Sequence, residues 1–163
     1  ILGPNDYKLH ASNQVPLRLR KGEPLAFADG GLDWVDVRDV AAGAIAASER
    51  APAGSSYLLG NRYATLREIA TITRELAHEP PPGRQIALRQ VERLLPLIEG
   101  YARVTRQPPV VTRTMIYPLK HGGQVSHERA ARELGYRPRP LEETLADTLA
   151  WFDQLHAGAP AAR

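Results

Sequence analysis

The chain has 163 residues, which is the size of about one domain and enough to bury a hydrophobic core. Apolar residues make up 43% and charged residues 24% of it, and no apolar run approaches the roughly 20 residues needed to cross a bilayer. The lack of cysteine excludes disulfides and thiolate metal sites. We therefore expect a globular, cytoplasmic protein that forms a single domain over residues 1–163 and has no membrane partner.

The net charge is +3, and most of the positive charge is arginine spread along the chain. The densest group of arginines alternates with glutamates and consists of Arg129, Arg132, Arg137 and Arg139. Mixed charge of this kind is typical of a solvated helical face and not of a nucleic-acid-binding patch. We therefore predict no nucleic-acid partner.

The N-terminal part of the chain predicts short elements separated by turns. Residues 1–6 indicate the end of a strand followed by a turn, because Pro4 cannot continue a ladder and Asn-Asp favours turns. Residues 13–21 predict a short helix or an irregular segment. Residues 25–28 predict a short strand that stops at Asp-Gly-Gly.

A strand followed directly by a helix is predicted next. Trp34, Val35 and Val37 are aromatic or β-branched and favour a strand. Asp39 is a good helix N-cap, because its carboxylate can accept hydrogen bonds from the free N–H groups of the first turn. The alanine-rich stretch 40–50 then predicts a helix that packs closely on a sheet, which is the building block of α/β folds.

Two carboxylates, Asp36 and Asp39, lie at this predicted junction. Paired carboxylates can perform acid–base chemistry, so the pair is one candidate for a catalytic role. The interpretation that the sequence favours is structural: Asp39 caps the helix, and Asp36 is a solvated surface residue.

One further strand and a well-marked helix are predicted after this unit. Residues 57–59 form a short apolar run that Gly60 stops, which predicts a strand. Thr65 and Glu68 have the spacing of a capping box, in which each side chain satisfies a free backbone N–H group. The helix that they begin has its buried side at Leu66, Ile69, Ala70, Thr73 and Leu76.

Most of the remaining chain predicts helix. A strand is expected at 85–88, a longer helix at 90–106 and a short helix at 112–120. The longer helix has an apolar stripe made of Val91, Leu94, Leu95, Ile98 and Tyr101.

Two more helices end the chain. Ser126 and Gly135 suit the N-cap and C′ positions of the first of them. The second has one apolar face made of Leu141, Leu145, Leu149 and Phe152. Together, the elements predict an α/β fold class with few short strands and a mostly helical C-terminal part.

Motifs of common catalytic and metal sites do not occur in the chain. It contains no glycine-rich dinucleotide fingerprint, no P-loop, no H-E-x-x-H and no G-x-S-x-G. The five histidines are far apart and lack the spacing of metal ligands, so no metal site is predicted.

Four stretches resemble, in order, motifs of the extended short-chain dehydrogenase/reductases, the family of NAD(P)-dependent epimerases, dehydratases and reductases. Ile1-Leu-Gly-Pro-Asn-Asp6 resembles the V-x-G-P-x-D turn of this family, and Trp34-Val-Asp-Val-Arg-Asp-Val-Ala41 resembles its V-x-V-x-D-V-A strand and helix. Gly54-Ser-Ser-Tyr-Leu-Leu-Gly60, with the capped helix at Thr65, resembles its G-x-x-Y-x-L-x-G segment. Arg132-Glu-Leu-Gly-Tyr-Arg-Pro-Arg-Pro-Leu-Glu-Glu143, with Trp151, resembles its E-L-G-Y-x-P helix–turn–helix ending.

This resemblance covers essentially the whole chain and implies the C-terminal, substrate-binding half of such a protein. The parent protein would transfer a hydride between NAD or NADP and a carbonyl or hydroxyl carbon of a small-molecule or sugar-like substrate. The resemblance implies a substrate and cofactor cleft lined by Leu2, Gly3, Pro4, Asp6, Leu32 and Trp34.

Two features of the family are missing from the chain. None of its six tyrosines is followed by lysine four residues later, so it lacks the Tyr-x-x-x-Lys pair that transfers the proton in the family. The glycine-rich turn is missing too. We expect both in an N-terminal Rossmann half that precedes Ile1. This chain alone is then expected to have no catalytic residue, to bind no cofactor and to be inactive.

Two departures from the UDP-sugar members bear on the substrate. Leu32-Asp33-Trp34 stands where those members have Arg-Asp-aromatic, with the arginine on a phosphate. Residues 117–123 occupy the region before the last helices, in which the UDP-sugar members tend to have an Arg-Pro-Gly-Asp-like segment. Both departures favour the dihydroflavonol-reductase-like branch, although Lys120 or Arg113 could still contact a phosphate.

Two other interpretations stay open. The chain could be a stand-alone, non-catalytic binding or interaction module derived from the same family, or an unrelated α/β domain.

The start at Ile1, inside an apolar stretch and without Met, favours a fragment or a processed product. Without its other half the chain would expose an unpaired sheet edge, so we also predict self-association.

Overall fold

The computed structural model describes residues 1–21, 30–80, 87–105 and 113–158. Its elements, in chain order, are α1 (Ala11–Arg20), β1 (Gly31–Trp34), α2 (Val37–Arg50), β2 (Arg62–Thr65), α3 (Leu66–Leu76), α4 (Leu88–Thr105), α5 (Arg113–His121), α6 (Glu128–Leu134) and α7 (Leu141–Gly158). The predicted fold class is therefore confirmed: a mixed α/β structure with short strands early and helices afterwards.

The strands β1 and β2 form an antiparallel pair in which Gly31 lies opposite Thr65 and Trp34 lies opposite Arg62. The start of the chain lies on the other side of the β1–α2 junction and runs parallel to it. The Leu2 N–H donates to the Val35 carbonyl at 2.9 Å, and the Val37 N–H donates to the Leu2 carbonyl at 2.7 Å. The junction between β1 and α2 thus lies at the centre of the sheet structure.

The strand predicted from Trp34, Val35 and Val37 is displaced toward the N-terminus. β1 ends at Trp34, and Val37 is already the first residue of α2. The reason is that Asp36 is the N-cap: it has extended backbone, and its carboxylate accepts a hydrogen bond from the Arg38 N–H at 2.8 Å. The prediction that Asp39 caps this helix is therefore wrong, since Asp39 lies inside the first turn.

The other strand predictions also need correction. Residues 57–59 have no regular secondary structure and pair with no strand among the described residues, whereas β1 pairs with 62–65 over its whole length. The side chains of Tyr57 and Leu59 pack instead against the cluster formed around α6. The predicted strand at 25–28 lies outside the described residues. Of the predicted strand at 85–88, Leu88 begins α4, and residues 85 and 86 lie outside the described residues.

The main hydrophobic core lies between the strands, α1, α3 and α7. Trp34 is at its centre and only 2% exposed, and its indole N–H donates to the Ala64 carbonyl at 3.0 Å. The other buried residues of this cluster are Leu2, Leu19, Ala64, Leu66, Ile69, Ala70, Leu141 and Leu145. Full burial of each leucine or isoleucine side chain in this cluster stabilises the fold by about 1.5–3 kcal/mol.

The predicted capping box and C′ glycine are confirmed. The Thr65 hydroxyl accepts a hydrogen bond from the Glu68 N–H at 3.1 Å, and the Glu68 carboxylate accepts one from the Thr65 N–H at 2.8 Å. Gly135 ends α6 with a φ of +71°, a conformation that glycine adopts without strain. Ser126 makes only a long contact of 3.4 Å to the Glu128 N–H, because α6 begins at Glu128.

The apolar stripes predicted on the two long helices have different outcomes. On α7, the four predicted residues are all buried, which confirms that face. On α4, Val91 and Leu95 pack with Ile116 of α5, but Leu94 and Tyr101 are 48% and 70% exposed. The stripe on α4 is therefore buried only on the side that faces α5. Within the described ranges, no helix is long and apolar enough to span a membrane.

We expect Thr65→Ala to lower the free energy of unfolding by about 1 kcal/mol, because it removes the acceptor for one free N–H at the start of α3. Ser126→Ala is the matched control and should cost less than about 0.5 kcal/mol, since Ser126 is not a working cap. Urea denaturation of the two variants measures both values. Equal losses would contradict the assignment of the caps.

Candidate functional site

Three aspartates of one short segment each hold a different part of the chain. Asp33 lies in β1, Asp36 caps α2, and Asp39 lies in the first turn of α2. The side chains of Asp36 and Asp39 are 0% and 7% exposed. We call the three residues the aspartate clamp. The prediction that Asp36 is solvated is wrong, because its side chain is fully buried.

Asp33 holds two loops next to β2. One oxygen of its carboxylate accepts a hydrogen bond from the Asn61 N–H at 2.9 Å, and the other accepts one from the Val125 N–H at 2.9 Å. Asn61 precedes β2 and Val125 precedes α6, so this carboxylate fixes the segments that lead into β2 and α6 relative to β1.

Asp36 is bound by Arg38, which also reaches α7. The Arg38 guanidinium donates to both oxygens of Asp36, at 2.9 and 2.7 Å, and lies 2.7 Å from the carboxylate of Asp147. Burial raises the pKa of Asp36, but the hydrogen bonds and the charge of Arg38 outweigh it and hold the pKa below its ordinary value. The Asp36 carboxylate is therefore charged at neutral pH.

Asp39 binds Arg139, the residue two positions before α7. The Asp39 carboxylate accepts hydrogen bonds from the backbone N–H of Arg139 at 2.9 Å and from its side chain at 3.0 Å. The Arg139 guanidinium also lies 3.6 Å from Asp36. The prediction that Arg139 belongs to a solvated face is wrong, because its guanidinium neutralises the buried carboxylates of Asp36 and Asp39.

The clamp suits a structural role and not acid–base chemistry. Each of the three carboxylates accepts two or more hydrogen bonds from fixed donors of the chain. A general acid or base needs an oxygen that can approach the substrate and a pKa near the working pH. Asp36 has neither property. The alternative of a catalytic pair made of Asp36 and Asp39 is therefore not supported.

Tyr136 is buried beside the clamp. It is 5% exposed, and its hydroxyl has no hydrogen-bond partner among the described residues. Burial, followed by the charges of Asp39, Asp33 and Asp36, raises the pKa of Tyr136 to about 12. The neutral phenol is therefore strongly favoured in the folded chain.

The residues predicted to line the cleft separate into two groups. Leu2 and Trp34 are 1% and 2% exposed and belong to the main core, so their side chains form the floor behind any cleft and not its surface. Pro4, Asp6 and Leu32 are partly exposed. Gly3 is buried, with a φ of +138°, and a side chain there would collide with Val37.

Asn13, which no sequence pattern singles out, joins Gly3 to Asp6. Its amide exchanges two hydrogen bonds of 3.2 Å with the backbone of Gly3 and donates to the Asp6 carboxylate at 3.0 Å. Asn13 is only 5% exposed. No local motif announces this role, because the contacts depend on how α1 folds back on the preceding turn.

A groove of 360 Å³ lies between α4 and α5. Leu95 and Ile116 form part of its wall, and its polar residues are Glu92, Tyr117, Lys120 and His121. Lys120 pairs with Glu92 at 2.9 Å, and the rings of Tyr117 and His121 lie 4.7 Å apart. The groove has the size of a small-molecule site, and Lys120 is one of the two cations that the sequence offers for a phosphate.

The described residues do not form a dinucleotide site or a metal site. The β1–α2 junction contains no glycine, and the first two N–H groups of α2 are already bound, that of Val37 by the Leu2 carbonyl and that of Arg38 by the Asp36 carboxylate. Among the same residues, no group of three or more His, Cys, Asp or Glu side chains is close enough to hold a metal ion.

Comparison with known proteins relates this chain to reductases and epimerases. A protein of Methylococcus capsulatus named sterol demethylase protein B is 29% identical over 154 residues, which make up 93% of this chain and 47% of that protein. A candidate dihydroflavonol 4-reductase of Synechocystis sp. is 27% identical over 161 residues, 93% of this chain and 45% of that protein. The chain thus spans about half the length of these curated relatives. No protein-family model matches it.

Solved structures give the same relation. The crystal structure of gox2253 matches 94% of this chain and 47% of that one, with a TM-score of 0.75 and 32% identity. PA4631, a nucleoside-diphosphate-sugar epimerase from Pseudomonas aeruginosa, matches with a TM-score of 0.72 at 21% identity, over 94% of this chain and 45% of its own. RMD from Pseudomonas aeruginosa, solved in complex with NADPH, matches 94% of this chain and 46% of its own, with a TM-score of 0.59 at 16% identity. At these last two identities the likeness concerns the fold alone.

The predicted resemblance is therefore confirmed. In sequence and in fold, the chain is similar to about half of these proteins, which fits the C-terminal half of an extended short-chain dehydrogenase/reductase.

We expect Arg139→Met to lower the free energy of unfolding by about 2–4 kcal/mol, because it leaves the buried charge of Asp39 without its partner. Arg137→Met is the matched control, since Arg137 is exposed and two residues away. The single variant Asp39→Asn and the double variant Asp39→Asn, Arg139→Met complete the set. The double variant should lose less free energy of unfolding than the sum of the losses in Asp39→Asn and in Arg139→Met. Denaturant titrations measure all four values, and additive losses would contradict the pairing.

A second prediction concerns alkaline pH. Because the pKa of Tyr136 is about 12 in the folded chain and 10 in the unfolded chain, the unfolded state loses this proton first. Stability should therefore fall as the pH rises from about 10 to about 12. Tyr136→Phe should flatten this fall, whereas Tyr101→Phe, at an exposed tyrosine, should not. Thermal unfolding at several alkaline pH values tests this, and identical curves for both variants would refute it.

Proposed function

We propose that the chain is the substrate-binding part of an NAD(P)-dependent oxidoreductase or epimerase that acts on a carbonyl or hydroxyl carbon of a small-molecule or sugar-like substrate. The main support is the match over nearly the whole chain to one half of proteins named as a reductase or an epimerase. The cytoplasm is the proposed compartment, which the lack of cysteine supports.

The proposed cleft is formed by the turn at the start of the chain and by β1. Gly3, Pro4 and Asp6 provide backbone and carboxylate groups, and Leu32 provides apolar surface. Leu2 and Trp34 support them from the core. This position is supported by the parallel contact between Leu2 and the β1–α2 junction, since ligands of α/β sheets bind where strands end.

Hydride and proton transfer are assigned to the other half of the parent protein. This chain has no Tyr-x-x-x-Lys pair and no glycine-rich turn, and its buried carboxylates are bound by arginine and by backbone N–H groups. In the proposal, NAD or NADP binds to that other half, and this chain by itself holds none. Its own task is to position the substrate.

The surface proposed to receive the nucleotide-binding half lies around the start of the chain. Ile1 and Ile45 are each 59% exposed, and Val37 is 38% exposed. Ala41 and Ala44 lie on the same side of α2 and are also exposed. Parallel strand pairs, such as the one begun by Leu2, normally occur in sheets covered on both faces. In the absence of that half, this face and edge would bind a second copy, which is the predicted self-association.

A stand-alone binding or interaction module is the second candidate. The exposed residues of α4 favour it, since Leu97 and Val104 are 71% and 85% exposed and offer surface to a partner. The DNA upstream of Ile1 separates the two candidates. A reading frame that encodes a glycine-rich turn and a Tyr-x-x-x-Lys pair favours the enzyme, and a start codon at this point favours the module.

Under this proposal, a fusion that places the unmatched half of the Methylococcus capsulatus protein before Ile1 should show NAD(P)-dependent turnover that the chain alone lacks. Dihydroquercetin and UDP-glucose are the probes, because they represent the dihydroflavonols and nucleotide sugars of the named relatives. The matched control replaces, by phenylalanine, the tyrosine of the Tyr-x-x-x-Lys pair that the proposal expects in the added half. NAD(P)H absorbance measures the reduction of dihydroquercetin. Epimerisation of UDP-glucose leaves the cofactor unchanged overall, so chromatography of the product sugar nucleotide measures it. NADH fluorescence shows that the fusion binds cofactor and is folded.

Turnover by the 163-residue chain alone would overturn the proposal. A fusion that binds NADH but converts neither probe would favour the non-catalytic module. Light scattering of the chain alone completes the test: self-association that the added half abolishes supports the docking face.

A further inference from the structure

The turn from Gly3 to His10 has an unusual backbone. Gly3, Asn5 and Leu9 have φ values of +138°, +68° and +51°. Left-handed backbone costs free energy for residues with a side chain, and it is rare for a bulky residue such as leucine. Such a conformation persists only where the surrounding contacts impose it, and it is frequent at binding sites.

The contacts that impose this backbone come from the first turns of α1. Asn13 binds both backbone groups of Gly3 and the carboxylate of Asp6. The side-chain amide of Gln14 donates to the Leu9 carbonyl at 2.9 Å. The turn is therefore fixed before any ligand arrives, which reduces the entropy lost on binding.

The same turn holds one histidine in a defined orientation. The Asp6 carboxylate accepts a hydrogen bond from the His10 N–H at 2.6 Å, and its other oxygen lies 2.6 Å from Nδ1 of the His10 ring. The side chain of Asp6 is only 9% exposed, whereas that of His10 is 70% exposed. The pair thus has a buried carboxylate that orients an exposed imidazole.

The charge of Asp6 decides which ring nitrogen carries the proton. Burial raises the pKa of Asp6, but the hydrogen bonds from Asn13 and His10 outweigh it, so the pKa lies below its ordinary value. A charged carboxylate only accepts, and Nδ1 must therefore be the N–H donor. In the neutral imidazole, Nε2 then has a free lone pair, and it makes no hydrogen bond within the described part of the chain.

We propose that His10 contacts the substrate directly, with Nε2 accepting a hydrogen bond from a substrate hydroxyl group, and that Asp6 is its positioning residue. The inference rests on the proposed function, since it assumes a hydroxylated substrate in the cleft at Gly3, Pro4 and Asp6. It adds a specificity-determining residue that neither the sequence motifs nor the comparisons indicate. An oriented acceptor selects substrates that have a hydroxyl at this point over those that lack it.

The first experiment determines the ring tautomer of His10 by NMR on the 163-residue chain labelled with ¹⁵N-histidine, at alkaline pH where imidazoles are neutral. We expect the Nδ1–H form at His10, and a mixture of forms in Asp6→Asn. A predominant Nε2–H form in the unmodified chain would overturn the proposal.

The second experiment adds dihydroquercetin, UDP-glucose or flavone to the same sample. The first two ligands carry hydroxyl groups and represent two substrate classes, and flavone carries none. We expect a saturable shift of the His10 Nε2 signal with at least one of the hydroxylated probes, and none with flavone. The probe that causes the shift identifies the class.

The variants separate a contact from a structural role. His10→Phe keeps an aromatic ring but removes Nε2 together with Nδ1, and it should weaken binding of the active probe about tenfold, the scale of one hydrogen bond. Lys8→Gln is the matched control in the same turn and should change the affinity less than about twofold. Circular dichroism confirms that both variants are folded.

Equal binding to the unmodified chain and to His10→Phe would overturn the inference, as would a His10 signal that no hydroxylated probe moves. Both results are independent of turnover by the fusion with a nucleotide-binding half. A fusion that is active while His10 does not respond would refute the His10 contact alone. A responding His10 with an inactive fusion would refute only the catalytic part of the proposed function.

Discussion

The pairing of buried carboxylates with arginine at the β1–α2 junction is the constraint on which the rest of the structure depends. A charge at the fully buried side chain of Asp36 is tolerated only with close, well-directed partners, because desolvation costs several kcal/mol. Arg38 and Arg139 meet this requirement, and Arg139 reaches the junction from a position 100 residues away from Asp39. The start of α7 is thereby fixed against the start of α2. Asp33 fixes two further loops in the same way.

This arrangement separates the part of the chain that supports from the part that can bind. The carboxylates of the clamp are already bound by the chain itself, and the core residues Leu2 and Trp34 have almost no accessible surface. The turn that precedes α1 is different, because its backbone is held rigidly while polar groups such as the His10 ring remain exposed. Rigid support under an exposed polar group is what a binding site requires. The proposed cleft therefore lies beside the clamp and depends on it.

The sequence predicted well those features that depend on neighbouring residues. The capping box of Thr65 and Glu68 and the C′ glycine at Gly135 each need only a few neighbouring residues to specify them. The apolar face of α7 follows from helical spacing alone. Predictions failed where the outcome depended on distant parts of the chain. Asp39 is predicted to cap α2, but Asp36 is its cap, and this residue is bridged by the distant Leu2 and lies near Arg139. Likewise, the apolar residues at 57–59 suit a strand, but all four residues of β1 pair with residues 62–65. Residues 57–59 have no partner strand among the described residues.

The sequence by itself determined the fold class, the order of most helices and the resemblance to one half of a reductase or epimerase, because local patterns and ordered motifs carry that information. Only the tertiary structure decided which charged residues are buried, which predicted cleft residues are core, and which histidine is oriented by a carboxylate. The physical reason is that burial and pairing are properties of contacts between segments far apart in the chain. Asp39 with Arg139 and Gly3 with Asn13 are contacts of this kind, and composition or spacing does not encode them.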